Sequence, residues 1–521
     1  MKYPVISGAL LLTASLLFVA NQSADTSVKS AGRARFPNVF LADIVVSNTD
    51  RDLRNTDKFF NAEPGIAINP ADPRRIVISA FSGAWTKLPN GQFQNAPLWY
   101  TRDGGNLWTK EFSIPAPPGA DAGLVNESPC DETFDYDRRG VLYGTFLLSG
   151  NGEGANCSSD EGTQNTKAEG TIVSGATHDP GRGDAWGWFV VDGKTKPTNQ
   201  HSGPDQPWLA VNRSLHHPQI DNVYVGYQSL STTSAMQVAV AEAKIPPDFT
   251  NDNSTGTSET FGGNAAQRVA VDQRSGAIYS LHQTKASLEC QGHASAVSYV
   301  LNRSLDGGRT WGLNGNPNGI QVAEACSNQA NPGYSFGEIE PGTFVGGVNA
   351  LRGGVNALAV HLRTGDVYVA FGKFDQSAGH DRIVMVRVAY QSNGTVQPGA
   401  PQYVSSPDHQ SALPGVAVTD NGAVGILYDT ADELAPGTST PYFSVYLAVS
   451  RNQGASFETI RLQRFLFPGT PSGTSGPRPL GDYQQLKSLG QTFFGVFSGD
   501  GQPFGRPFHK IDPIFLRVTV E

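Results

Sequence analysis

The sequence predicts an all-β chain of short, four-stranded units arranged in a ring. Three observations predict it. A turn pattern occurs three times: a small hydroxyl residue, Asp or Asn two later, Gly two after that, and an aromatic three further on. At this composition three copies mark a true repeat. An apolar strand, a polar turn and a second apolar strand recur seven times, at spacings of roughly 60–90 residues, as in four-stranded blades with loop insertions. Finally, the 521 residues include Gly 59 and Pro 34 but only 16% charged residues, which suits many short strands joined by turns.

The seven hairpins run Gly65–Phe81, Glu132–Leu147, Pro207–Tyr227, Gln267–Leu281, Ala357–Phe371, Gly415–Tyr428 and Tyr483–Phe497. Each joins runs rich in Val, Ile and aromatics through a turn, most of them containing Gly. Each is expected to form the inner two strands of a blade. The seventh unit has room for only three strands before Glu521, so the N-terminal run Asn38–Val46 supplies its fourth. Closing the ring with strands from both termini removes exposed edges. The expectation is one seven-bladed β-propeller over residues 36–521, with six blades as the runner-up. Residues 150–170 and 248–262, rich in Gly, Ser, Asn and Thr, read as long loops.

The turn repeats are Thr101–Trp108, Ser304–Trp311 and Ser450–Phe457. Asp103, Asp306 and Asn452 are suited to fold back onto turn amides. The Gly two residues later supplies a positive φ. Trp108, Trp311 and Phe457 then open the return strand. Thr177–Trp186 reads as a copy carrying two extra residues. The pattern resembles the Asp-box, or BNR repeat, of the sialidase-like β-propellers. That resemblance implies a structural fold-back between the outer two strands of a blade, away from the active site.

The net charge of −9 argues against a nucleic-acid partner, which would want a basic face. Residues 1–24 read as an export signal, with Lys2 before the apolar run Val5–Ala20, which is short for a membrane span. A linker, 25–35, follows. The expected location is therefore secreted, extracellular or periplasmic. No membrane span beyond the signal is expected, and the chain is expected to be a monomer. The four cysteines form no Cys-x-x-Cys pair, so zinc is not expected. In an exported chain, Cys130–Cys157 and Cys290–Cys326 are expected as local disulfides.

No single motif announces a reaction. There is no HExxH and no phosphate-binding loop. No cofactor is expected, although the acidic run Asp131–Asp137 raises structural calcium as a possibility. Geometry gives the better lead, because the innermost strands of a propeller converge at one mouth. Polar residues at their entries are the site candidates. They are Glu63, Asp131, Asp205, Asp482, Tyr483 and His409 for chemistry, with Arg268, Arg352, Asn264 and Asn356 for binding. The four carboxylates are expected on one side of the mouth, with Arg268, Arg352 and His409 opposite. Trp85, Trp186, Trp188 and Trp208 are candidates for stacking on sugar rings.

The resemblance implies an Arg-Ile-Pro motif, whose nearest match is Arg35-Phe-Pro37. It also implies three arginines on a substrate carboxylate, for which Arg268 and Arg352 are nominated, and a Tyr–Glu nucleophile pair, for which Tyr483 is. The leading expectation is an exo-acting, sialidase-like glycoside hydrolase on acidic glycans. A polysaccharide lyase using His409, Tyr483 and the arginines, and a non-catalytic glycan- or protein-binding propeller, remain as alternatives.

Overall fold

The computed structural model describes residues 38–52, 63–80, 95–117, 129–148, 171–193, 204–213, 221–229, 235–249, 251–254, 268–285, 295–327, 356–437, 441–466, 480–481 and 483–520. All belong to the compact unit Phe36–Glu521. They form seven antiparallel sheets. Blade one is Gly65–Ile68, Ile76–Ser79, Ala96–Thr101 and Thr109–Ile114. Blade two is Cys130–Tyr136, Leu142–Leu148, Thr171–Thr177 and Gly187–Gly193. Blade three is Pro204–Asn212, Asn222–Ser229, Ala235–Glu242 and Asn251–Ser254. Blade four is Arg268–Val271, Ile278–Lys285, Ser295–Ser304 and Ile320–Ser327. Blade five is Ala357–Val360, Val367–Asp375 and His380–Tyr390, with an outer edge split into Val396–Pro398 and Gln402–Tyr403. Blade six is Gln410–Val418, Val424–Leu434, Pro441–Ser450 and Glu458–Leu466.

Blade seven joins the chain ends. Gln485–Leu489, Thr492–Asp500 and Ile511–Thr519 are completed by Val39–Asp43, which pairs antiparallel with the last strand, Val39 opposite Val518 and Asp43 opposite Ile514. The inner strands neighbour one another in chain order, and that of blade seven returns to that of blade one. The chain is thus a seven-bladed propeller rather than the six-bladed runner-up.

Strand alternation explains how the ring holds. Successive residues face opposite sides of a sheet, so each blade feeds two cores. Ile66 and Ile68 pack with Phe494, Val496 and Phe515 of blade seven, while Ala67 packs with Phe134 and Phe146 of blade two. The same arrangement gives one hydrophobic cluster between each pair of neighbouring blades.

The repeated turns fasten a blade to the one before it. Asp103 Oδ1 accepts from the amides of Asn106 and Leu107, at 2.9 and 3.1 Å, and from Thr101 Oγ1 at 2.8 Å. Asp306 and Asn452 repeat this with Thr310 and Ser456. The indole of Trp108 donates to the Gly105 carbonyl at 3.0 Å and lies edge-on to Phe515 of blade seven, at 5.3 Å. Trp311 packs on the core shared with blade three, and Phe457 on that shared with blade five. Gly105 has φ 98°, and a Cβ there would overlap the Phe515 ring, so both conformation and space demand glycine. At Thr177 the copy is incomplete. Thr177 Oγ1 accepts from the Asp179 amide at 3.0 Å, but the Trp186 indole nitrogen has no hydrogen-bond partner among the described residues.

One expected loop is corrected. Asn251–Ser254, inside the stretch 248–262, is the outer strand of blade three and pairs with Gln237–Val240. An outermost strand has one free edge, so polar residues suffice there and no apolar run marks it. Residues 1–37, with the export segment, lie outside the described residues, as do 150–170, Cys157, Cys290, Trp85, His216 and His217. So does the Cys130 side chain. Cys326 is disulfide-bonded, and both expected pairs otherwise fall on side chains outside the description. No helix long and apolar enough to cross a membrane occurs among the described residues.

Candidate functional site

Four inner strands enter the channel through the same unusual backbone. Glu63, Asp131, Gln206 and Leu413 have φ of 52°, 44°, 46° and 56°. Each lies three residues before a buried apolar residue of its strand, Ile66, Phe134, Leu209 and Val416. In blades two, three and six the register of the strand shifts there. A left-handed conformation at a non-glycine residue costs about 1–3 kcal/mol and gathers at functional sites.

The centre of the mouth is Tyr483 of blade seven. It is buried, and its hydroxyl meets no hydrogen-bond partner among the described residues. Burial, then the negative charges of Glu63, Asp131 and Glu132, hold the phenol well above its ordinary value, with Arg268 pulling the other way. Three carboxylates from blades one and two and one guanidinium from blade four therefore act on a single hydroxyl. Glu63 packs on Gly481, so closely that a Cβ there would overlap it. The Arg268 guanidinium lies 4.0 Å from the centre of the Trp208 ring and 5.9 Å from that of Tyr483, and the two rings meet edge-on at 5.6 Å.

Below the mouth is a cavity of about 210 Å³. Ala210, Ala270, Ala359 and Ala417 stand at one register of blades three to six and line it, together with Arg268, Asn356 and Tyr483. At the same register blade two has Asp135 and blade seven Lys487. Asp135 is also bound to Arg213 at 3.3 Å and to the Val211 amide at 3.0 Å. Burial raises the Asp135 carboxyl, but Lys487, Arg213 and the backbone bonds outweigh it and leave the group below its ordinary value. These contacts engage the middle of the acidic run considered for calcium, and Asp137 pairs with Arg139 at 2.7 Å. No group of three or more His, Cys, Asp or Glu able to hold a metal occurs among the described residues.

The sequence candidates divide as follows. Glu63, Asp131, Tyr483 and Arg268 come together, and Asn356 lines the cavity beside Arg268. Arg268 acts on the same hydroxyl as the carboxylates, with the opposite sign. His409 has Nδ1 3.8 Å from Asp432 of its own blade. It precedes a strand that bulges at Leu413, and the bulge displaces the entry residues by one position. Trp186 and Trp188 stack on each other at 5.7 Å within the core between blades one and two rather than at the mouth, whereas Trp208 is at the mouth. Asn264, Arg352, Asp482 and the Asp205 side chain lie outside the described residues. Sequence reasoning missed Glu132. It occupies the position that holds Pro64, Pro207 and Pro414 in blades one, three and six, so aligning the hairpins would have exposed an acid in a proline's place.

The chain is a seven-bladed β-propeller. No family model and no curated protein matches its sequence. Among solved structures it is similar to a protein of unknown function from Dyadobacter fermentans, at 11% identity over 75% of this chain and 95% of that one, TM-score 0.43. It is also similar to the polysaccharide lyase Uly1, at 10% identity over 93% and 99%, TM-score 0.43. A third is the Trypanosoma rangeli sialidase bound to the inhibitor DANA, at 11% identity over 88% of this chain and 54% of that one, TM-score 0.37. Likenesses this distant do not bear on what the chain does.

Proposed function

We propose that the chain is an exported, glycan-acting enzyme whose reaction centre is Tyr483, and specifically a sialidase-like glycoside hydrolase on acidic glycans. The observation that carries this reading is the Tyr483 hydroxyl, buried and without a hydrogen-bond partner among the described residues, under the influence of three carboxylates and Arg268. A phenol held neutral becomes a nucleophile only as a neighbouring base takes its proton. Glu63, packed on Gly481, is the carboxylate we assign to that step. Arg268 supplies the guanidinium that an acidic sugar needs, and that guanidinium lies over the Trp208 ring. The Asp-box turns serve as fasteners between blades in this reading and take no part in the chemistry.

A lyase is the second reading, favoured by the same neutral phenol, which suits proton transfer next to a uronate. His409, the other base this reading invokes, has Nδ1 3.8 Å from Asp432 of its own blade. The test is incubation with a panel of sialosides and uronate polysaccharides, reading released sugar and the ultraviolet absorbance of unsaturated ends. Tyr483→Phe should abolish release by orders of magnitude with a near-normal melt. No product from any member of the panel would sink both readings and leave a binding propeller.

A further inference from the structure

We propose that Glu132 holds a proton at neutral pH and acts through Tyr483 as a positioning residue, keeping one negative charge away from the phenol as it reacts. The proposal rests on the reading of Tyr483 as the reaction centre. Glu132 is only 2% exposed, and its Oε2 has no hydrogen-bond partner among the described residues. Its position holds proline in three other blades, so the fold itself does not call for an acid there. It follows Asp131, whose φ is 44°, and both carboxylates bear on Tyr483.

The surroundings explain why it stays protonated. Among the described residues the groups that bear on it or share its site are Asp131 on its own strand, Ser79 and Glu63 of blade one, Tyr483 of blade seven and Arg268 of blade four. The Glu132 backbone closes over Gly65, where a Cβ would come within 2.8 Å of its carbonyl oxygen and 3.7 Å of the Gln485 carboxamide carbon. Three carboxylates around one guanidinium do not all ionise at once; Glu63 and Glu132 are equally buried at 2% exposure, and with Glu63 assigned as the base, Glu132 is the one to keep a proton. Burial first, and then the charge of Asp131, push Glu132 well above the usual carboxylate range, with the Ser79 hydroxyl offsetting part. When Glu132 does ionise, its charge makes the Tyr483 proton harder to remove. Activity should then fall on the alkaline side before tyrosine itself titrates.

Infrared difference spectroscopy of wild type against Glu132→Gln tests this without any substrate. A protonated carboxyl band, sensitive to deuterium, should be present in wild type at neutral pH and missing from the variant. Ultraviolet titration, referenced to Tyr483→Phe, should show Tyr483 ionising roughly one pH unit lower in Glu132→Gln, as removal of a nearby like charge requires. Once a substrate is known, the alkaline limb of kcat should move upward in the same variant. Should Glu132→Gln fail to fold, Asp131→Asn gives a second reading, because the wild-type band should then disappear at a lower pH than before. A wild type without the band, or a Tyr483 titration unmoved in Glu132→Gln, would overturn the proposal. Neither outcome touches the sugar-release test, and a failed sugar-release test leaves the band to be found or not.

Discussion

Lys487 of blade seven reaches past blade one to Asp135 of blade two, its Nζ 3.6 Å from the Asp135 carboxylate and 2.9 Å from the Phe134 carbonyl oxygen. The intervening blade has Ala67 at the same register, and the small side chain leaves room. This pair joins the last blade to the second across the seam where the ring closes. Lys487→Met should lower stability by about 1–3 kcal/mol, between the values for exposed and buried pairs. The double variant Lys487→Met with Asp135→Asn should recover part of that loss. Denaturant melts of the two single variants and the double variant measure the coupling.

The closing strand carries its own pH dependence. Asp43 is fully buried, accepts from the amides of Val45 and Val46 at 2.8 and 3.1 Å, and lies beside Asp512, which Arg506 already grips at 2.5 and 2.8 Å. Burial, then the charge of Asp512, hold Asp43 well above its ordinary value. A carboxyl whose folded pKa is raised binds its proton more tightly in the fold than in the unfolded chain. Its contribution to stability is therefore complete in acid and is lost as pH rises from about 4 through the folded value. Asp43→Asn should melt a few degrees higher than wild type on the alkaline side, and the gap should narrow towards pH 4. A gap that stays constant with pH would refute this.

The fastening turns should differ in weight. Trp108 is wholly buried against Phe515, whereas Trp311 is only half-buried. Trp108→Ala should cost about 3–5 kcal/mol, the usual range for a buried large aromatic, and Trp311→Ala about 1–3 kcal/mol. Chemical denaturation ranks them. Neither change should alter the specific activity of protein that remains folded.

Arg268→Lys should leave the melt close to wild type but reduce kcat/KM on an acidic substrate by about 10–100-fold, because an ammonium neither lies flat on Trp208 nor presents two parallel donors. The effect should be much smaller on a neutral analogue of the same sugar. Equal loss on both substrates would mean that Arg268 only supports the fold.

The sequence alone determined the blade number, the closure by Asn38–Val46 and the three fold-back turns. These rest on local patterns: alternation in short strands, glycine where φ must be positive, and a carboxylate two residues from a hydroxyl. It also brought Glu63, Asp131, Arg268 and Tyr483 into one list, since strand entries meet at a propeller mouth. Tertiary structure decided the rest. The outer strand Asn251–Ser254 was invisible because a free edge needs no apolar residues. Glu132 joined the group because the left-handed residue Asp131 and the bulge beside it shift the entering strand, and such a shift changes which side chains face the mouth. The contacts of Trp208 with Arg268 and Tyr483 join blades three, four and seven, which lie far apart in the chain. Only the closed ring brings them within contact distance.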